Sequence, residues 1–171
     1  MVALELQSAL VQEIRNLTEH MTFKDCKGNP AKLNVYEQNL PKRRIQKGNL
    51  DDDEELEEDE DGVEEFFPYC IVKLDSGNSK DSDSAHMVKM ALIIGIFDDS
   101  EKADGYKSIL NIFEDIRYRF RTNPVLDKRY ICGDEISWAL ADEDEDTYPY
   151  FFGGMYLEWH TAELRREDSF V

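Results

Sequence analysis

The chain has 171 residues, 41% of them hydrophobic and 34% charged, with a formal net charge of −18 at pH 7, which is enough apolar material for the core of one ordinary domain. The acid is concentrated: residues 51 to 65 hold 12 Asp and Glu and no basic residue, and removing those 12 charges takes the net charge from −18 to −6, so a uniformly acidic disordered chain is excluded. A transmembrane helix is excluded because no window approaches ~18 consecutive apolar residues, and a pI near 4.4 argues against binding the outside of nucleic acid, where phosphate contacts need Lys and Arg.

From the N-terminus, Leu6, Leu10, Ile14, Leu17 and Met21 recur at helical spacing, with Glu5, Gln12, Glu13, Arg15 and Glu19 on the other side. This predicts an amphipathic helix over 2–21. The same stretch lacks a basic n-region, so it is not read as a signal peptide. Lys27-Gly28-Asn29-Pro30 reads as a turn, and Leu33-Asn34-Val35-Tyr36 as a short strand. A basic stretch, Pro41-Lys42-Arg43-Arg44 and then Lys47, leads into the acidic run. Like-charge repulsion and scarce apolar content mark residues 49–65 as an insertion, not a packed element.

The run Phe66 to Leu74 favours a strand, with Pro68 near its start where proline is tolerated. Residues 75–85 read as a polar loop. Val88, Met90, Leu92, Ile94 and Ile96 alternate with a second, largely apolar set, which predicts a central strand. Asp98-Asp99-Ser100 stops it. Tyr106, Ile109, Leu110, Phe113, Ile116 and Phe120 predict a second amphipathic helix over 102–122, ended by Asn123-Pro124. Ile131–Leu140 and Tyr150–Thr161 read as two more strands around the acidic turn 142–146. The expectation is one α+β domain over residues 1–171, with an acidic loop insertion at about 42–65. Its order is αββαββ, a mainly antiparallel sheet of four or more strands with two helices packed on one face.

Chemistry-bearing patterns are weak. An EF-hand loop set on Gly62 gives Glu57, Asp59 and Asp61 at its first positions, but its twelfth is Pro68, which has no carboxylate. His20, His86 and His160 fall in no ligand spacing. Ser84-Ala85-His86 is not a nucleophile elbow. Cys26, Cys70 and Cys132 are odd in number and far apart, so they read as reduced cytosolic thiols. Gly153-Gly154 is no phosphate loop and reads as a bulge or a close backbone approach within a strand. The sequence therefore points to a non-enzymatic protein with no cofactor and no metal. A small acidic enzyme remains the alternative of another class, and it requires a rigid carboxylate cluster in a pocket.

An ordered set of short segments carries a resemblance. Asn34-Val35-Tyr36-Glu37-Gln38-Asn39-Leu40-Pro41 precedes the insertion and Phe67-Pro68-Tyr69. Asp104-Gly105-Tyr106, Leu110-Asn111-Ile112 and Asn123-Pro124-Val125-Leu126 follow. The sharpest piece is Asp146-Thr147-Tyr148-Pro149-Tyr150-Phe151-Phe152-Gly153-Gly154-Met155. Over roughly residues 3–165 the chain resembles the tail terminator, or tail-completion, proteins of long-tailed bacteriophages.

That resemblance implies an α+β structural virion protein forming a homo-oligomeric, usually hexameric, ring at the neck end of the tail. The ring stops polymerisation of the tail tube protein and joins the tail to the head–tail connector protein. DNA passes through the lumen without specific binding, and no membrane is involved. By analogy, Tyr148, Tyr150, Phe152, Gly153 and Gly154 form a subunit or tube contact, since aromatics are enriched at interface cores. Filling the domain's own core is the competing role for these aromatics. The acids Asp51, Asp52, Asp53, Asp142, Glu143 and Asp144 are candidates to line an acidic lumen that repels phosphate; outer solvated loops are the other reading. The insertion at 42–65 is long for such a family. Two further roles share these features: a head-closure or head–tail adaptor on the portal side, and an acidic DNA mimic that blocks a basic partner.

Overall fold

A computed structural model of the chain describes residues 2–42, 62, 64–80, 84–141 and 147–161. Helix α1 runs Val2–Thr18, and its stripe does what the spacing predicts. Leu6, Leu10 and Ile14 are fully buried, each contributing about 1.5–3 kcal/mol of burial. Leu17 is half-buried, and Met21 lies past the helix end. The hydroxyl of Thr18 donates to the Ile14 carbonyl in the last turn.

The turn at Gly28, with φ of 83°, closes a small hairpin. Its strands are β1 (Phe23–Lys24) and β2 (Pro30–Ala31). The main sheet has six strands: β3 (Asn34–Glu37), β4 (Tyr69–Asn78), β5 (His86–Phe97), β6 (Val125–Leu126), β7 (Tyr130–Leu140) and β8 (Tyr150–Thr161). Their order across the sheet is β3-β4-β5-β8-β7-β6. Helix α2 (Gly105–Thr122) lies between β5 and β6 in sequence.

The described residues form an α+β fold with two α-helices, but the sheet is mixed, where a mainly antiparallel one was expected. Strand β3 pairs parallel with β4. A parallel pair needs a crossover of a dozen or more residues, and the segment from Gln38 to Pro68 is long enough. The acidic insertion is therefore part of a crossover and not a hairpin loop. The order αββαββ is also corrected: the two-residue strands β1, β2 and β6 are too short to leave a period in sequence. Residues 75–78, expected in a loop, extend β4 as far as Asn78. Their polar side chains hid a strand that Gly77 and Asn78 hold by pairing with Val88 and Met87.

Both helices cover the same face of the sheet. Leu6, Leu10 and Ile14 of α1 and Ile109, Ile112, Phe113, Ile116 and Phe120 of α2 share one core with Val72, Met90, Leu92, Ile94, Met155, Leu157 and Trp159. Glu13 of α1 accepts a hydrogen bond from Arg119 Nε of α2, a half-buried ion pair that ties the helices together. Gln7, buried on α1, donates to the Val72 carbonyl at 2.8 Å and to the Gln38 side chain at 3.1 Å. Gln38 itself sits at φ of 65°. Its amide side chain accepts from Leu74 N–H and donates to the Leu74 carbonyl. Thus a side chain continues the β3–β4 ladder after the backbone turns away. Strand β5 is central, as its two apolar faces predict.

Candidate interaction surface

The other face of the sheet carries no α-helix among the described residues; a short 3₁₀ turn, Glu64–Phe66, packs Phe66 against one end of it. Strand alternation assigns this face. Side chains of Tyr69 and Ile71 on β4, Ala91, Ile93, Gly95 and Phe97 on β5, and Tyr150, Phe152, Gly154 and Tyr156 on β8 lie on this side in register. At one end these residues make a second, aromatic cluster. Phe67, Tyr69 and Phe97 are buried in it, with Tyr36, Phe66, Ile71, Tyr150 and Phe152 packed against them. Phe67 is the hub: its ring centre lies 4.9 Å from Tyr69, 5.0 Å from Tyr150 and 6.0 Å from Phe152. These tilted and edge-on contacts are those that aromatic quadrupoles favour. Gly95 is required here, because a Cβ would meet the Tyr69 ring at 2.5 Å.

Towards the other end the face opens to solvent. Tyr156 is 54% exposed and Ile131, on β7, 50% exposed. A shallow depression there is lined by Lys89, Glu135, Ser137, Tyr156 and Glu158.

The segment Tyr148 to Gly154 is thus divided between two environments. Tyr148 is half-exposed ahead of β8, and its hydroxyl donates to the Asp99 carbonyl at 2.7 Å. Tyr150 and Phe152 are half-buried in the aromatic cluster. Tyr150 also hydrogen-bonds the Glu64 carboxylate, which raises its phenol above the usual range, with burial adding to the shift. Gly153 faces the helices. A Cβ there would lie 2.7 Å from Ile109 Cγ2 and 3.2 Å from Phe113. It is the close backbone approach the sequence suggested, and the β5–β8 register runs through it without a bulge. Gly154 faces the open side, with only the Leu92 carbonyl at 3.8 Å from a Cβ position. The structure therefore brings Tyr150, Phe152 and Gly154 onto one face, and separates Gly153 and Tyr148 from them. Asp51, Asp52, Asp53, Asp142, Glu143 and Asp144 lie outside the described residues.

Nothing among the described residues gathers three His, Cys, Asp or Glu side chains around a metal position. Burial pushes the thiols of Cys70 and Cys132 up to about 12 and about 11. Both stay protonated at neutral pH and are poor nucleophiles. Cys26 is also raised, by burial first and then by Glu64 and Asp25. His20 lies 3.6 Å from Asp115, His86 2.7 Å from Ser79, and His160 4.0 Å from Glu158, in three separate places. Among the described residues no helix is long and apolar enough to cross a membrane.

No protein-family model matches the chain, and no curated protein does. What the molecule can do must be read from its surfaces. Sequence reasoning missed Phe67, Tyr69 and Phe97 as partners of Tyr150 and Phe152, because they come from distant strands. It also missed Tyr156. That residue was within reach: Tyr150, Phe152, Gly154 and Tyr156 stand at period two on a single strand, so they share a face.

Proposed function

We propose that the chain is a tail terminator: a structural virion protein whose copies form a ring, with a hexamer as the expected number, at the head-proximal end of a phage tail tube. There the ring stops tube polymerisation and offers a joint to the head connector. The single observation that carries this reading is the position of the segment where the resemblance is sharpest. Tyr150, Phe152 and Gly154 lie on the sheet face that no described α-helix covers, in line with the exposed Tyr156. A half-exposed aromatic row on a rigid strand is a surface suited to another protein, since aromatic anchors bury much area at low entropic cost. The net charge of −18 supports a passage that DNA crosses without adhering. The protein then works without catalysis, by capping.

The test is native mass by light scattering, with purified tail-tube protein present and absent, together with the tube-length distribution. The expected result is a discrete ring, alone or on tube ends, with tube growth arrested. Tyr156→Ser is expected to weaken that assembly about tenfold while leaving the thermal midpoint within a few degrees. A monomer that leaves tube growth unaffected overturns the proposal. A ring that ignores the tube and binds the portal-side connector replaces it with the adaptor role.

A further inference from the structure

The two edges of the main sheet differ in what they leave free. At the β3 edge, Asn34 N–H donates to the Pro68 carbonyl and Gln38 N–H to the Val72 carbonyl. The alternation of a parallel ladder then turns Val35 and Glu37 outward. Both outward carbonyls are already taken, Val35 by Arg15 Nη2 at 2.9 Å and Glu37 by Asn39 N–H at 2.7 Å. That edge offers a further strand no carbonyl that lacks a donor.

The β7 edge is open. Strand β6 covers only Tyr130 and Ile131, and Pro124 accepts from Cys132 N–H. Beyond an irregularity between Cys132 and Ile136 the ladder with β8 resumes without interruption to Leu140. Ala141 N–H donates to the Phe152 carbonyl at 3.0 Å. Counting back by alternation, Ala139 and Ser137 bond to β8, while the N–H and C=O of Ile136, Trp138 and Leu140 point away from it. No described strand pairs with those groups. The edge sequence Ile136-Ser137-Trp138-Ala139-Leu140 has no charge, no proline and no glycine, and Trp138 is 45% exposed with its ring centre 6.2 Å from that of Phe113. Natural sheets usually protect such an edge with Lys, Pro or a bulge. Here only its flanks are protected.

Those flanks select the occupant. Asp134 and the exposed Glu135 precede the edge, and the sequence runs on from Ala141 into Asp142-Glu143-Asp144-Glu145-Asp146. Arg121, 3.8 Å from Asp134, answers one of these charges. Antiparallel pairing of two copies centred on Trp138 would bring the Asp134-Glu135 flank of one towards the end of the other from which its sequence runs on into five acids, and like charges repel. Pairing of β7 with a second copy's β3 meets an edge whose outward carbonyls already have donors. We propose that the β7 edge, Ile136 to Leu140, takes an added strand from another protein, an extended segment apolar or β-branched at its centre and basic at both ends. The donated strand would bury Trp138 and satisfy the six outward backbone groups. This inference goes beyond the terminator reading and does not need it, because it rests on the edge alone.

The probe is a short synthetic peptide alternating Val and Thr, with Lys-Arg at each end, added to the full chain. Residue-resolved amide hydrogen exchange is the readout. The expected result is slowing by about tenfold or more at Ile136, Trp138 and Leu140. Ser137 and Ala139, already bonded to β8, start slow and change little. Binding weakens with added salt. Trp138→Pro removes an outward N–H and no β8 bond, so it abolishes the protection with the circular dichroism spectrum retained. If that variant does not fold, the alternating pattern in the natural chain decides alone. No added protection at the three amides overturns the proposal, as does equal binding of a peptide with Asp-Glu ends. Protection of the three amides without peptide, accompanied by a doubled mass, overturns it in favour of self-pairing.

Discussion

On the face that the helices cover, Val72, Met90, Leu92, Ile94, Met155 and Leu157 are almost wholly removed from water and are all aliphatic or thioether side chains. On the reverse of the same strands, at matched register positions, stand Tyr69, Ile71, Phe97, Tyr150, Phe152 and Tyr156. The first set meets helices and is packed to interior density. The second meets no α-helix among the described residues, only a short 3₁₀ turn, loops and neighbouring rings, so it uses large rings that cover one another and keep hydroxyls at the water boundary. The difference teaches where stability resides and which face stays accessible. A residue on the covered face is fixed by neighbours above and below, while one on the open face can change its partner without unfolding the chain.

The largest effect that sharpens this comparison is Trp159→Ala. The indole is fully buried on the covered face, edge-on to Phe120 with ring centres 5.0 Å apart. Its loss is expected to cost ~3–5 kcal/mol in urea denaturation. Tyr156→Ala, on the open face of the same strand, is expected to cost less than about 1 kcal/mol. Equal costs would break the distinction. Adjacent glycines give a finer version. Gly153→Ala drives a methyl into Ile109 and Phe113 of α2, and should destabilise by about 1–3 kcal/mol. Gly154→Ala meets only the Leu92 carbonyl at 3.8 Å, and should stay within about 0.5 kcal/mol. Chemical-denaturation midpoints at unchanged slope read both.

Much of the covered face was legible in the sequence. The stripes of α1 and α2 and the alternation of β5 follow from burial on one side, and burial imposes a period. Both long C-terminal strands were visible for the same reason. What stayed hidden obeys no period. Strands β1, β2 and β6 are two residues each. The parallel docking of β3 depends on Gln7 and Gln38, two polar residues whose role appears only once α1 lies over the sheet. Of the candidate contact residues, Tyr150, Phe152 and Gly154 could be placed together by counting in twos, which equally sends Gly153 to the helix side. The occupied carbonyls of one sheet edge and the openness of the other could not be read at all, because they are set by hydrogen bonds from Arg15 and Asn39 and by where β6 stops.

The smallest effect separates the faces by titration. Cys70 and Cys132 lie on the covered side, their thiols raised by burial from 9.0 to about 12 and about 11. The native state holds these protons after the unfolded chain has released its own. The stability they contribute is therefore complete below the unfolded thiol value, near 9, and is lost as pH rises towards 11 and 12. Tyr150 on the open side is raised as well, chiefly by its hydrogen bond to Glu64, so it adds to the same alkaline loss. Thermal midpoints should be level up to about pH 8 and then decline through about pH 11. Cys70→Ala lowers the whole curve by its cavity but flattens the decline, because no buried thiol is left at that position to ionise. Tyr150→Phe flattens it without the cavity. A decline of unchanged slope in both variants would mean that the alkaline weakness belongs to neither face, and that the two clusters unfold before these groups titrate.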